Sequence, residues 1–310
     1  MTLPFVSRQR MLFSAPAASP CQRIVSSLFP QLQLWIKRDD LLHPQVSGNK
    51  FRKLKFPLQA LAGQPAHLVS MGGLWSNHIH ALAHAAAAAG LASSALIRGQ
   101  AGMHSAMLDD CRALGMQIHF VDRLGYRALR SEAEAWRRHV PADASAYHWL
   151  PEGGSSAAAL HGVAELVAET QAQLGFLPEV VALACGSGAT TAGVLAGLQG
   201  HSAVLAVAVL KNAHYLHAEM ARLLLEAGYP AYPNYRLLTT FHHGGYAKTS
   251  AALLAFCQRF EAETGILIEP VYTGKMLYAL HVLCHAGYFR RGTRLLAIHT
   301  GGLQGLRGFA

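Results

Sequence analysis

Cysteine is scarce in this chain and shows no pairing pattern. The five cysteines stand at 21, 111, 185, 257 and 284. The count is odd and no two are spaced as CxxC, which suits a reducing compartment and argues against a disulfide frame or a zinc site. Long apolar runs are missing too. The segment from Ala81 to Ile97 comes nearest, but His84, Gly90, Ser93 and Ser94 interrupt it, and alanine-rich runs of this sort make buried helices rather than membrane spans. Arg8 and Arg10 are followed only by Met-Leu-Phe, too short an apolar stretch for a secretory leader. With neither signal, the cytoplasm is the default expectation. Acidic residues are few, so Lys and Arg exceed Asp and Glu by 26 − 17 = 9. The basic residues are scattered, however, and no nucleic-acid-binding motif accompanies them. A basic pocket for a small anionic ligand accounts for the bias. No repeat of fixed period is visible, and no Pro/Ser-rich linker divides the chain.

What is present is a large apolar fraction, 52% of 310 residues, enough for one big domain or two interleaved lobes. Short β-branched or apolar runs alternate with longer helical ones. Strands are predicted at Leu34–Lys37, His67–Met71, Ser94–Arg98, Gln117–Val121, Tyr147–Leu150, Val180–Ala184, Val204–Leu210 and Arg294–His299. Helices are predicted at Ser76–Ala89, Met103–Leu114, Tyr126–His139, Ala157–Leu174, Thr190–Leu198, Ala213–Glu226, Lys248–Glu263 and Gly274–His285. This alternation implies an α/β fold with mainly parallel sheets covered on both faces. A further helix after Asn49 carries Phe51, Leu54, Leu58 and Leu61 near one stripe, with Pro57 inside it. An interior proline costs ~3 kcal/mol or kinks a helix, so a bend or restart is expected there.

Ligands in such folds collect where strands run into helix N-termini, and three junctions are rich in chemistry. In VVALACGSGATTAGVLAGL a buried strand runs into Gly186, Ser187, Gly188, Ala189, Thr190 and Thr191 before a helix. Free backbone N–H groups, a helix dipole and hydroxyls make this a phosphate cup. No Lys-Ser/Thr follows the glycines and Thr191 holds the place of the third glycine of GxGxxG, so ATP and NAD are both disfavoured. A tight packing turn is the plain alternative. In VSMGGLWSNHIHALAH, Ser76 and Asn77 begin a helix. Both are good N-caps, yet capping needs only one, which leaves room for a carboxylate-sized anion pocket. His78, His80 and His84 follow, but no acid or cysteine in the motif completes a metal site. In LLAIHTGGLQG a strand runs into Thr300-Gly301-Gly302, either a simple turn or a hydroxyl placed for a ligand ring.

The stretch SGNKFRKLKF, from Ser47 to Phe56, puts Lys50 at a helix start. Alone, it reads as a cationic helix start, a phosphate-binding lysine, a nucleic-acid patch or a nucleophile. With a phosphate cup lacking a nucleotide pattern and a carboxylate-sized pocket, a phosphorylated aldehyde cofactor fits, and pyridoxal 5′-phosphate (PLP) is one.

Taken together and in order, WIKRDDLLHP, SGNKFRKL, GLWSNH, CGSGATTAG, EPVYTGK and AIHTGG resemble the 1-aminocyclopropane-1-carboxylate (ACC) deaminases and D-cysteine desulfhydrases. The resemblance runs from about Ala15 to the C-terminus. It implies a two-lobed fold-type II PLP enzyme, each lobe a mainly parallel open sheet covered by helices, and a homodimer. Residues 1–55 and 156–310 would form the large PLP-binding domain, and 56–155 the small substrate-side domain. Lys50 would hold PLP as a Schiff base and move the substrate α-proton. Asn77 would contact the cofactor's phenolic oxygen, and Ser76 with neighbouring N–H groups the substrate carboxylate. Cys185 to Thr191 would carry the phosphate cradle, and Tyr246 and Tyr272 would flank the substrate, Tyr246 on a looser match. His80 departs from the arginine of many relatives. ACC deaminases are expected to carry Glu and Leu where this chain has Thr273 and Thr300. A carboxylate at the ring nitrogen deepens the electron sink, and a neutral hydroxyl does so less. Opening a cyclopropane needs more help than expelling a thiolate, whose conjugate acid has a pKa near ~8.5. The expectation is β-elimination: D-cysteine to pyruvate, ammonia and hydrogen sulfide. ACC deamination, dehydration of another small amino acid, and a PLP carrier without turnover are the alternatives. The intact Lys50, Asn77 and Tyr272 count against the last.

Overall fold

The structure, a computed structural model, describes Phe13, residues 18–141 and residues 146–309. The Arg8/Arg10 stretch and the first residues of the matching segment, from Ala15, lie outside them. Among the described residues ten strands form two sheets. Strands β1 (Cys21–Ile24), β2 (Gln33–Lys37), β7 (Val180–Cys185), β8 (Ala203–Ala208), β9 (Tyr235–Leu238) and β10 (Arg294–Ile298) make a six-stranded sheet in the order β1-β2-β10-β7-β8-β9. Only β1 is antiparallel to its neighbour. Strands β3 (His67–Gly72), β4 (Ala92–Arg98), β5 (Gln117–Val121) and β6 (Tyr147–Leu150) make a four-stranded, wholly parallel sheet in the order β5-β4-β3-β6. The apolar runs of β7, β8 and β10 are buried along nearly their whole length, as parallel strands covered on both faces require. The predicted two-sheet α/β architecture is therefore present. β1 and β9 escaped the sequence reading. Each is four residues long on a sheet edge, and too short to show a period.

Nine helices are described: α1 (Asn49–Gln59), α2 (Asn77–Ala89), α3 (Ala106–Ala113), α4 (Arg123–Ser131), α5 (Ala157–Leu174), α6 (Ala189–Leu198), α7 (Leu216–Glu226), α8 (Ala251–Thr264) and α9 (Thr273–His285). Side-chain caps correct several predicted starts. Ser105 accepts from Leu108 N at 3.2 Å and Ser250 from Leu253 N at 3.2 Å, so α3 and α8 begin later than their periodicity suggested. The predicted Tyr126–His139 helix is two pieces. Asp122 caps α4, and extended backbone at Glu132 breaks it before a 3-10 turn over Ala135–His139. The break lets Trp136 bury and stack on Trp149, ring centres 6.0 Å apart. The restart expected at Pro57 does not occur. α1 runs past it and ends two residues later, so the proline removes an N–H only from the last turn.

Helix α1 links the two sheets. Phe51, Leu54 and Leu58 are no more than 4% exposed and pack with α2 residues Ile79 and Leu82 in the core of the four-stranded sheet. Burial of such side chains stabilises by roughly 1.5–3 kcal/mol each. The opposite face of α1 lies on α5 so closely that a Cβ at Gly162 would stand 2.1 Å from the Arg52 carbonyl oxygen. Arg52 itself is buried between Asp39, at 2.6 and 2.8 Å, and Glu169 of α5, at 2.9 and 2.7 Å. Lys37 at the end of β2 adds a 3.0 Å contact to Glu169. This buried ion network fixes where α1 begins. Among the described residues no helix is long and apolar enough to cross a membrane.

Candidate active site

The first turn of α1 is pressed against the loop after β10. A Cβ at Gly48 would stand 1.9 Å from the Thr300 carbonyl oxygen, and Gly48 has φ +64°, so only glycine fits. Asn49 N donates to that same oxygen at 3.2 Å. Lys50 is thereby delivered to a cleft at the carboxyl ends of the central strands. The cleft is also lined by Asp40, Asn49, Asn77, His80, Tyr272, Thr300 and Gln304. Burial of its ammonium lowers the Lys50 pKa to about 8, since a low-dielectric site disfavours the charged form. The Nζ reaches the Gly153 carbonyl oxygen at 3.4 Å.

One helical turn on, Lys53 shares this environment. It is 2% exposed, and its Nζ lies 3.1 Å from the Gly153 oxygen and 3.4 Å from Ser187 Oγ. Burial first, and the neighbouring Lys50 second, pull its pKa well down. The Gly186–Thr191 turn follows β7, where Cys185 is buried with its thiol pKa raised by that burial. The turn ends at the N-terminus of α6. Its hydroxyls are differently employed. Ser155 Oγ donates to Ser187 Oγ at 2.5 Å, and Asn49 Nδ2 donates to Thr190 Oγ1 at 2.9 Å. Thr191 Oγ1 is buried with no partner better than the weakly accepting Cys185 sulfur. A poorly satisfied buried hydroxyl is costly, and in the first turn of a helix, after a loop whose Ser187 meets Lys53, it suits an anion.

On the other side, Tyr272 stands just ahead of α9, whose N-terminus is capped by the side chain of Glu269. Glu269, 1% exposed, accepts from the N–H groups of Val271, Tyr272 and Thr273 at 2.6 to 3.1 Å. Burial raises the Glu269 pKa to about 7, against the pull of those donors and of Lys275. Thr273 Oγ1 is buried and unpartnered. Tyr246 is 47% exposed, on a loop where His243, Gly244, Gly245 and Ala247 all have positive φ. Its hydroxyl nevertheless meets that of Tyr272 at 3.4 Å. Buried Lys275 ties the loop down by donating to the Gly245 oxygen at 2.8 Å.

At the start of α2 the two candidate caps divide their roles. Ser76 Oγ accepts from His78 N and is the cap, while Asn77 is the first helical residue. Asn77 Oδ1 accepts from Gln304 Nε2 at 2.6 Å. The ring of His78 is buried with both nitrogens unpartnered. The rings of His80 and His84 meet at a tilt, centres 4.6 Å apart, and His80 Nε2 lies 3.6 Å from Asp110. Among the described residues no group of three or more His, Cys, Asp or Glu side chains is arranged to hold a metal ion.

The cleft wall thus brings together Lys50, Asn77, Tyr272 and Thr300. Ser187 joins it through Lys53, Thr190 through Asn49 and Tyr246 through Tyr272, whereas Thr191 is buried behind the turn beside Cys185. Lys53, Glu269, Lys275 and Gln304 were not singled out from the sequence. The spacing of Lys53, three residues after Lys50, was a legible signal, because such positions share a helix face. A buried lysine, loop hydroxyls and a helix N-terminus fit a phosphate, and the amine of Lys50, one turn away on the cleft, fits an aldehyde. The profile of pyridoxal-phosphate dependent enzymes matches residues 17–301. The chain belongs to that family. PLP is its cofactor, and Lys53 and the Gly186–Thr191 turn have the chemistry to take the PLP phosphate.

Individual relatives agree. A protein of Arabidopsis thaliana named bifunctional D-cysteine desulfhydrase/1-aminocyclopropane-1-carboxylate deaminase is 32% identical, over 88% of this chain and 73% of its own. A 1-aminocyclopropane-1-carboxylate deaminase of Bradyrhizobium diazoefficiens is 25% identical over 98% of this chain and 96% of its own. Among solved structures, an ACC deaminase homologue is 26% identical with a TM-score of 0.77, covering 98% of this chain and 96% of that one. A threonine deaminase of Solanum lycopersicum, at 14% identity, TM-score 0.65 and coverage of 96% and 83%, shares the fold.

Proposed function

We propose that this PLP enzyme eliminates the β-substituent of a small amino acid, and that D-cysteine, giving pyruvate, ammonia and hydrogen sulfide, is its substrate. The observation that carries the reading is Thr273, whose buried Oγ1 has no partner beside Tyr272. The carboxylate behind it, Glu269, is engaged by three backbone N–H groups, and Asp40 at the cleft edge is held by Arg38 at 2.7 Å. Thr273 and Thr300 therefore offer neutral hydroxyls to the ring nitrogen. Bound PLP supplies the electron sink for the substrate α-carbon. Lys50 anchors it and moves the α-proton, a task suited to an amine with a pKa near about 8. Ser76 and adjacent N–H groups hold the substrate carboxylate. Asn77 faces the cofactor, and Tyr272 with Tyr246 closes the substrate side. In this proposal residues 1–55 and 156–310 carry PLP, residues 56–155 shape the substrate side, and the enzyme works as a cytoplasmic homodimer, the last point testable by sedimentation.

ACC deamination is the second reading, favoured by the name of the Bradyrhizobium relative. Purified enzyme should release sulfide from D-cysteine and little 2-oxobutanoate from ACC. Thr273→Glu with Thr300→Leu should lower the first activity. Turnover of ACC without sulfide release from D-cysteine would overturn the substrate assignment.

A further inference from the structure

The loop after β10 continues into a 3-10 helix, Leu303–Gly308, which carries Gln304 into the cleft wall beside Asn77. A primary amide can present either its oxygen or its NH2 to a neighbour, and only the surrounding bonds decide which. Here the decision starts at a group with no ambiguity. Arg307, 41% exposed, is held by Asp110 of α3 at 2.6 Å. A guanidinium has donors and no acceptor. Its Nη2 lies 3.4 Å from Gln304 Oε1, so the oxygen of Gln304 must face Arg307. The NH2 of Gln304 is then turned to Asn77, and Nε2 to Oδ1 is the 2.6 Å bond observed. With its oxygen occupied, Asn77 presents Nδ2. That nitrogen lies on the side of Gly302, where a Cβ would stand 2.6 Å from it, and Gly302 also lines the cleft.

We infer that Arg307 and Gln304 are positioning residues: a one-way relay Asp110–Arg307–Gln304–Asn77 sets the polarity of Asn77, so that it offers a donor to an electron-rich oxygen of the bound cofactor. The inference rests on Asn77 facing PLP, as proposed above. Gln304→Glu keeps the shape but makes the side chain an acceptor to both neighbours. It pulls Nδ2 away and turns Oδ1 towards the cleft.

The test uses the full-length enzyme, stripped of PLP and re-titrated with it. Dissociation constant and absorption maximum of the bound cofactor are compared for wild type, Asn77→Asp, Gln304→Glu and Arg307→Met. Asn77→Asp, which places an acceptor in the cleft directly, should weaken PLP binding at least about tenfold and move the band. Gln304→Glu should move both in the same direction. Arg307→Met, at an exposed position that tolerates change, should give a smaller change of that sign and keeps the relay testable if Gln304→Glu fails to fold. A general structural role for Gln304 would lower the melting temperature without moving the band. Wild-type binding and spectrum in Gln304→Glu, alongside an altered Asn77→Asp, would overturn the relay alone. Wild-type behaviour in Asn77→Asp would overturn the placement of Asn77 and the relay with it.

Discussion

Two lysines three residues apart carry opposite assignments because their ends meet different surroundings. Both ends reach the Gly153 oxygen, but Lys50 also lines the cleft, whereas Lys53 turns to Ser187. An aldehyde condenses with a neutral amine, so the lowered pKa of Lys50 has a kinetic consequence. Protein stripped of PLP should recapture it faster as pH rises through about 8 and level off above. An ordinary lysine would keep gaining up to ~10.4. Stopped-flow absorbance across pH 6.5–10, roughly, reads this directly, and a rate still climbing beyond 9 would contradict the burial of Lys50. Lys53→Met should raise the PLP dissociation constant roughly ten- to a hundredfold, the loss of one hydrogen bond to a charged group. Pyridoxal without its phosphate should bind wild type and variant alike. Equal loss for both ligands would move Lys53 away from the phosphate.

At the scale of the element, α1 is held by an apolar stripe on one face and by ions on the other. Breaking a buried pair from one side leaves an uncompensated charge, at ~3–5 kcal/mol. Asp39→Ala takes from Arg52, which is 3% exposed, one of its two carboxylates and leaves it Glu169, so it should cost up to about that much in urea unfolding. Asp39→Asn, which keeps one acceptor, should cost less. Glu169 gives the network an acid limit. Burial opposes its charge, but hydrogen bonds from Arg52 and Lys37 prevail and bring its pKa down to about 2. A carboxylate depressed in the folded state contributes stability above its unfolded pKa, near ~4.3, that is lost as pH falls towards the folded value. The melting temperature should therefore fall between roughly pH 4.5 and 2, and Glu169→Gln should flatten that slope. An unchanged slope in the variant would assign acid sensitivity to other carboxylates.

Over the whole molecule, the site is made of pieces from both sheets. Lys50 rides on the helix between them, Asn77 follows β3, Gly186–Thr191 follow β7 and Thr300 follows β10. A ligand that touches all four binds the folded chain only, so PLP at a hundred times its dissociation constant should add ~2.7 kcal/mol. Calorimetry should show a single transition several degrees higher in the loaded enzyme. Two transitions, only one of them moved by PLP, would mean that the sheets unfold separately and that the cofactor engages one of them.

The sequence by itself determined the elements whose signal is local. Continuous apolar runs such as Val180–Cys185, alternating with helical patterns, read as covered parallel strands, and hydroxyl or glycine turns after them mark helix starts where anions gather. Those signals singled out Lys50, Asn77, Thr191 and Thr300, and the family resemblance added Tyr272 to the same hypothesis. The tertiary structure decided what depends on residues far apart. Arg52 reaches Glu169 across 117 positions and Gln304 reaches Asn77 across 227, and no period or cap records such partners. It also decided which face of a helix turns where. Lys53 was one more cation in a basic stretch until its burial and the meeting with Ser187 suggested a role. The edge strands β1 and β9 exist because neighbours offer them hydrogen bonds, a property of the sheet they join rather than of their four residues.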